Sequence, residues 1–314
     1  MISSHLIKTC FSVFLMAASL QGFTESKNGF NLDNSSIDTD KILSGGPQKD
    51  GIPSIDHPKF IPVTQSELKD DDYVVGIVYR GIAKAYPIGI LNWHEVVNDT
   101  FDQEGIVVSY CPLCGTAVAF KSSITGDTLE FGVSGLLYES DVLLYDRQTL
   151  SLWSQILGSA VTGAYKNTAF ESIPINHTSF GQWKKSHPDS LILSTDTGFK
   201  RNYFKDPYSG YEVSDQIYFP VTNSDSKQFH PKQKVLGIKI NQTFKAYSLD
   251  DFKNAEMTQL FDTIDGVKVL IKYDIKANSA TAFNAKNEQI VALTSYWFAW
   301  YSFHPDTLVH DFDE

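Results

Sequence analysis

The chain is poor in cysteine and methionine, with three of each among 314 residues. Cys10 falls inside an N-terminal apolar run, so a chain that has lost that run keeps only Cys111 and Cys114. Two cysteines two residues apart exclude a framework of long-range disulfides, because the one ring they can close constrains little of the unfolded chain. Positive charge is also scarce: 26 Lys and Arg stand against 37 Asp and Glu, a formal net charge of −11. That sign is wrong for neutralising phosphates by counterion release, which argues against nucleic acid and anionic membrane surfaces as partners. Beyond residue 22 no uninterrupted apolar run reaches the ~18 residues of a spanning helix, so no stable transmembrane span is expected in the mature chain. The composition of a disordered chain is absent too. With 42% hydrophobic, 13% aromatic and 20% charged residues the chain reads as globular, with one large or two modest domains.

What is present at the N-terminus reads as an address. Lys8 precedes the apolar run Cys10 to Leu20, too short to cross a bilayer core and right for a signal h-region, and the small residues Ala17, Ala18, Ser19 and Gly22 follow. A signal peptide is therefore expected at 1–22, with an exported protein, periplasmic or extracellular, beginning near Phe23. Residues 23–50, rich in Asn, Ser, Asp and Gly, read as a flexible leader.

Beyond residue 50 short strand patterns dominate, and some recur. Val74-Val75-Gly76-Ile77 matches Val235-Leu236-Gly237-Ile238, and Lys84-Ala85-Tyr86 matches Lys245-Ala246-Tyr247, both at an offset of 161; Gly105 and Gly266 share that offset. Trp183 with His187-Pro188-Asp189 matches Trp300 with His304-Pro305-Asp306. The pattern predicts a mostly β, α+β fold of two degenerate repeats of strands plus short helices. The first repeat spans 51–205 and carries an insertion, 206–234 is a linker, and 235–314 is a second repeat without cysteines. A short helix is expected from Pro87 to Asp99. Closing helices are expected to start at Thr178 and Ser295 and to end at the two His-Pro pairs.

Features of one copy only are the better candidates for a site. Cys111-Pro112-Leu113-Cys114-Gly115 lies between the apolar runs 106–109 and 117–120, which reads as strand, tight turn, strand. That geometry suits a metal knuckle, whereas a thioredoxin-like pair needs its first Cys at a helix N-terminus. A knuckle supplies two ligands, so others must come from elsewhere; His94 and Glu95, on the expected short helix, are the candidates, holding one zinc or copper ion. The insertion carries Asp141 and then Asp146, Arg147, Trp153 and Gln155, of which the last four are candidates for lining a ligand pocket, or for a network that merely holds the insertion in place. No nucleotide-binding pattern is present, so no nucleotide cofactor is expected.

A wider set of residues carries a resemblance. Gly45-Gly46-Pro47, Lys49-Asp50-Gly51-Ile52-Pro53, Lys84-Ala85-Tyr86-Pro87, His94-Glu95, Asn98-Asp99 and Tyr110-Cys111-Pro112-Leu113-Cys114-Gly115-Thr116 are followed by Phe131-Gly132-Val133-Ser134-Gly135, Asp146-Arg147-Gln148-Thr149 and Ser151-Leu152-Trp153-Ser154-Gln155. Together, from about residue 42 to residue 308, they resemble the DUF3179 family, a mostly bacterial group of unknown function. The resemblance implies membership and brings no activity or ligand set with it. Three readings stand: an exported metal-binding protein with a metal-delivery or redox partner, a thiol-disulfide oxidoreductase in which Cys111 attacks, and a non-catalytic exported ligand-binding protein.

Overall fold

The structure is a computed structural model that describes residues 26–312; the signal peptide expected at 1–22 lies outside the described residues. Five sheets of four or five strands are the blades of a five-bladed β-propeller. In blade 1 the order is Asn176–Ser179, Tyr73–Tyr79, Ile82–Pro87, Leu191–Leu193 and Phe60–Pro62. Blade 2 is Ser172–Ile173, Thr116–Lys121, Glu104–Cys111 and Val96–Phe101. Blade 3 is Ser159–Ala160, Leu152–Ser154, Asp141–Asp146, Phe131–Tyr138 and Ile42–Ser44. Blade 4 is Leu293–Tyr296, Lys234–Ile240, Thr243–Ser248 and Leu308–Val309, and blade 5 runs in chain order from Gln259–Ile264 through Val267–Asp274 and Ser279–Asn284 to Gln289–Ile290.

This corrects the expected α+β fold of two repeats. The described helices, α1 (Ile88–His94), α2 (Phe180–Ser186), α3 (Leu249–Asn254) and α4 (Trp297–Phe303), have six or seven residues each, too short to form a layer. The strands after α1 and α3 do not join the preceding hairpins; they open new sheets. The matched fragments fall on corresponding blades. Leu191 pairs in parallel with Lys84, and Leu308 pairs in parallel with Lys245. Four of the five strands of blade 3 arise from the insertion, and the fifth, Ile42–Ser44, comes from the N-terminal stretch.

Two devices explain why the matched residues recur. A Cβ at Gly76 would lie 2.1 Å from the Trp183 ring, and one at Gly237 would lie 2.2 Å from Trp300, so in each blade a glycine lets an indole lie flat on the hairpin. The lysine and tyrosine of each Lys-Ala-Tyr run meet an aspartate at the start of the next sheet. Lys84 Nζ donates to Asp99 at 2.8 and 2.9 Å and Tyr86 Oη donates to it at 2.5 Å; Lys245 Nζ and Tyr247 Oη each lie 2.6 Å from Asp262. A buried ion pair thus joins blade 1 to blade 2, and a half-buried one joins blade 4 to blade 5. Asp99 and Asp262 differ by 163, so Gly105 and Gly266, separated by 161, are not equivalent: of the two only Gly266 sits at a turn with positive φ.

Helix boundaries also shift. The helix expected from Pro87 to Asp99 ends at His94, because Glu95 takes φ 56° and turns the chain into the strand Val96–Phe101. The closing helices α2 and α4 begin one residue later than expected, after Ser179 and Tyr296, and end at His187 and His304 with nearly identical backbone angles. Residues 26–50, expected as a flexible leader, form a two-stranded hairpin and the edge strand Ile42–Ser44, anchored by buried Phe30, Leu32 and Ile42.

Candidate metal centre

Two hairpin turns from neighbouring blades build the site. In blade 2 the turn Pro112–Gly115 follows the pair Cys111 and Thr116. Gly115 has φ 61°, and a Cβ there would meet the Tyr296 ring at 3.0 Å, so conformation and space both call for glycine. Tyr296 N–H donates to the Cys114 carbonyl at 2.8 Å, which fastens the turn to blade 4. Blade 5 has the same turn, with Asp274 paired to Ser279 and its carboxylate accepting the N–H groups of Lys276 and Ala277 at 2.9 Å each. Cysteine stands in blade 2 where blade 5 has that aspartate.

In blade 3 the strands Phe131–Tyr138 and Asp141–Asp146 are joined by Glu139 and Ser140 alone. Their φ values of 49° and 66° fit a type I′ turn, which Asn-Gly adopts with least cost. Holding Glu and Ser there costs about 1 kcal/mol or more per residue. The Glu139 carboxylate steadies the turn by accepting the N–H of Thr222 at 2.6 Å and its hydroxyl. The turn aims the Ser140 carbonyl at both thiols, 3.3 Å from Cys114 Sγ and 3.8 Å from Cys111 Sγ, and delivers Asp141 beside them.

The two sulfurs and one Asp141 oxygen all lie within 4.8 Å of one another, and all three residues are at most 1% exposed. Burial pushes the Asp141 carboxyl up to about 7, although Ile156 N–H donates to its Oδ2 at 3.1 Å. Burial, reinforced by the Asp141 charge, pushes Glu95 up to about 8. Burial and then the adjacent Cys111 push the Cys114 thiol well above its ordinary range. Asp141 makes Glu95 and Cys114 harder to ionise, and a cation placed among these groups would reverse that penalty. Eight buried side-chain polar atoms among the described residues have no well-aligned partner, and three of them, Ser140 Oγ, Asp141 Oδ1 and Gln155 Oε1, belong to residues at this point. Such atoms are rare in folded proteins, and a cluster of them calls for an explanation.

The other expected site residues separate. His94 is fully buried, with Nδ1 2.8 Å from the Pro53 carbonyl and Nε2 2.7 Å from Tyr203 Oη, so both ring nitrogens are engaged away from the sulfurs. Asp146 accepts the Trp153 indole N–H at 2.9 Å and the N–H and hydroxyl of Thr149, and Trp153 stacks on Phe170, which makes both of them core. Arg147 donates to Ser54 and lies 3.3 Å from Asp56 and 3.7 Å from Asp50, holding residues 50–56 against blade 3. Of these four only Gln155 touches the site, its backbone N–H donating to the Asp141 carboxylate while its side chain donates to Ser109 Oγ at 3.0 Å. Asp141 was visible in the insertion without an assigned role; its one signal was a two-residue gap between strand patterns.

A family model described as a protein of unknown function, DUF3179, matches residues 49–293. The chain belongs to the DUF3179 family. No curated protein and no solved structure matches it. The DUF3179 match begins and ends inside the span of the resemblance read from the motifs, and it includes both hairpin turns of the site. No described helix of this DUF3179 member is long and apolar enough to cross a membrane.

Proposed function

We propose that this protein binds one zinc ion through Cys111, Cys114 and Asp141, in an exported protein whose signal segment carries Lys8 and the apolar run behind it. The observation that carries the reading is three buried acidic ligand groups within 4.8 Å of one another. A tetrahedral zinc with metal–sulfur bonds of about 2.3 Å holds its two sulfurs about 3.8 Å apart, so a small contraction of the cluster accommodates it. Two thiolates with a carboxylate favour zinc over copper(I), which prefers soft donors alone. Three protein ligands leave a fourth position for water; neither His94 nor Glu95 belongs to the cluster of mutually close ligand atoms. The thiol-disulfide reading is weaker, because a partner's thiol must reach the sulfurs and neither Cys111 nor Cys114 is exposed.

The test is elemental analysis of untagged protein purified without chelator, with thiols counted after denaturation. About one zinc per chain is expected, lost in Cys111→Ser and in Asp141→Asn while the far-UV circular dichroism stays folded. Metal-free protein whose two thiols titrate as a disulfide would sink the proposal.

A further inference from the structure

A cleft of about 430 Å³ opens beside the cysteine turn, with Pro112 and Gly115 on its floor. Its walls come from α1, from the segments 67–73 and 203–212, and from blades 1, 2 and 4. Tyr110, Tyr208 and Tyr296 line it, and none of their hydroxyls has a protein hydrogen-bond partner among the described residues. Each phenol hydroxyl can both donate and accept a hydrogen bond. Lys234, ion-paired with Glu212 at 4.0 Å and poised 4.8 Å over the Tyr73 ring, adds an ammonium inside the cleft. The rim adds acceptors, Asp206 and Glu212, so the walls offer donors and acceptors together with aromatic faces.

The charge narrows the ligand. Glu67, Asp71, Asp72, Asp206 and Glu212 outnumber Lys69 and Lys234 among the lining side chains, which repels an anion. The same excess draws a cation to the cleft, but the Lys234 ammonium beside Tyr73 opposes one that comes within reach of that ring. What suits both is a neutral molecule whose hydroxyls each donate and accept and whose ring face lies on tyrosine; the volume falls within the range of small-molecule sites and holds two such rings. We propose that this cleft binds a neutral saccharide of about two sugar units. The proposal stands apart from the zinc reading, because every group that contacts the sugar lies outside the ligand set.

The experiment is isothermal titration of the full chain with cellobiose, maltose and N,N′-diacetylchitobiose, beside citrate as the anionic probe and spermidine as the cationic one. At least one neutral disaccharide is expected to bind, with affinity lowered tenfold or more in Tyr208→Ala and in Lys234→Met. Phe261→Ser, on exposed blade 5 surface, and protein dialysed against a chelator are expected to bind as the untreated wild type does. Binding of citrate or spermidine in place of every disaccharide, no binding at all, affinity unmoved by both cleft variants, or affinity lost on chelation would each overturn it.

Discussion

Replacing Gly76 by alanine tests the packing of blade 1 most directly. The added methyl would sit 2.1 and 2.2 Å from Cζ3 and Cε3 of Trp183, where ordinary contact begins at 3.4 Å, so the indole must retreat by about 1 Å. It has little room, because Trp183 is 2% exposed and its Nε1–H is held by Ser190 Oγ at 3.0 Å. Overpacking costs about 1–3 kcal/mol and the strained hydrogen bond about another 1, which together come to about 3 kcal/mol. For a chain of this size that lowers the midpoint of thermal unfolding by about 4–5 °C. Far-UV circular dichroism melts of Gly76→Ala, of Trp183→Leu and of the double variant give the coupling. The methyl is expected to cost under about 1 kcal/mol once leucine replaces the indole, because its collision partner is gone. A single Gly76→Ala variant within about 0.5 kcal/mol of wild type would refute the reasoning, and the same logic applies to Gly237 against Trp300.

Asp99→Ala leaves the Lys84 ammonium buried without its carboxylate and is expected to cost about 3–5 kcal/mol in urea unfolding, with Asp262→Ala costing less because Lys245 and Asp262 are each 16% exposed against 9% and 5% for the first pair. Burial holds His177 neutral down to about 3 and His304 down to about 4, with Lys234 and Lys239 adding to the effect. In the unfolded chain both take a proton near 6.5, so stability is fully present above that pH and is lost as pH falls through 6.5 toward the folded values. At pH 5 each histidine should have cost about 2 kcal/mol, and His177→Phe should flatten that slope in pH-dependent melts; an unchanged slope would assign it to other groups. Zinc at a hundredfold its dissociation constant should add about 2.7 kcal/mol to wild-type stability and nothing to Asp141→Asn, read as a shift in the melting midpoint.

The cysteine hairpin was legible because its pattern is local: two apolar runs bracket Cys-Pro-Leu-Cys-Gly, and the glycine takes the positive φ that such a turn requires. The third ligand was not, since Asp141 belongs to a different sheet and only docking brings its turn to the sulfurs. His94 misled for the converse reason, being near in sequence and chemically apt but on a helix that ends by giving its ring to Pro53 and Tyr203. Strand content could be read from the apolar patterns, whereas the number of sheets could not. Nothing within residues 96–101 says whether that strand extends the hairpin before it or starts another blade; the decisive contact, Asp99 with Lys84, is a pairing across sheets.

The ligands of the proposed centre come from two turns that are covalently continuous with separate sheets. An ion there is a rivet between blades 2 and 3, and its affinity reports how firmly those blades are docked. Substitutions that loosen blade 3 far from the sulfurs, such as at the Arg147 contacts with residues 50–56, would weaken zinc without touching a ligand. Stripping the ion would in turn let the two blades open independently, making amide exchange in Asp141–Asp146 rise before that in blade 1.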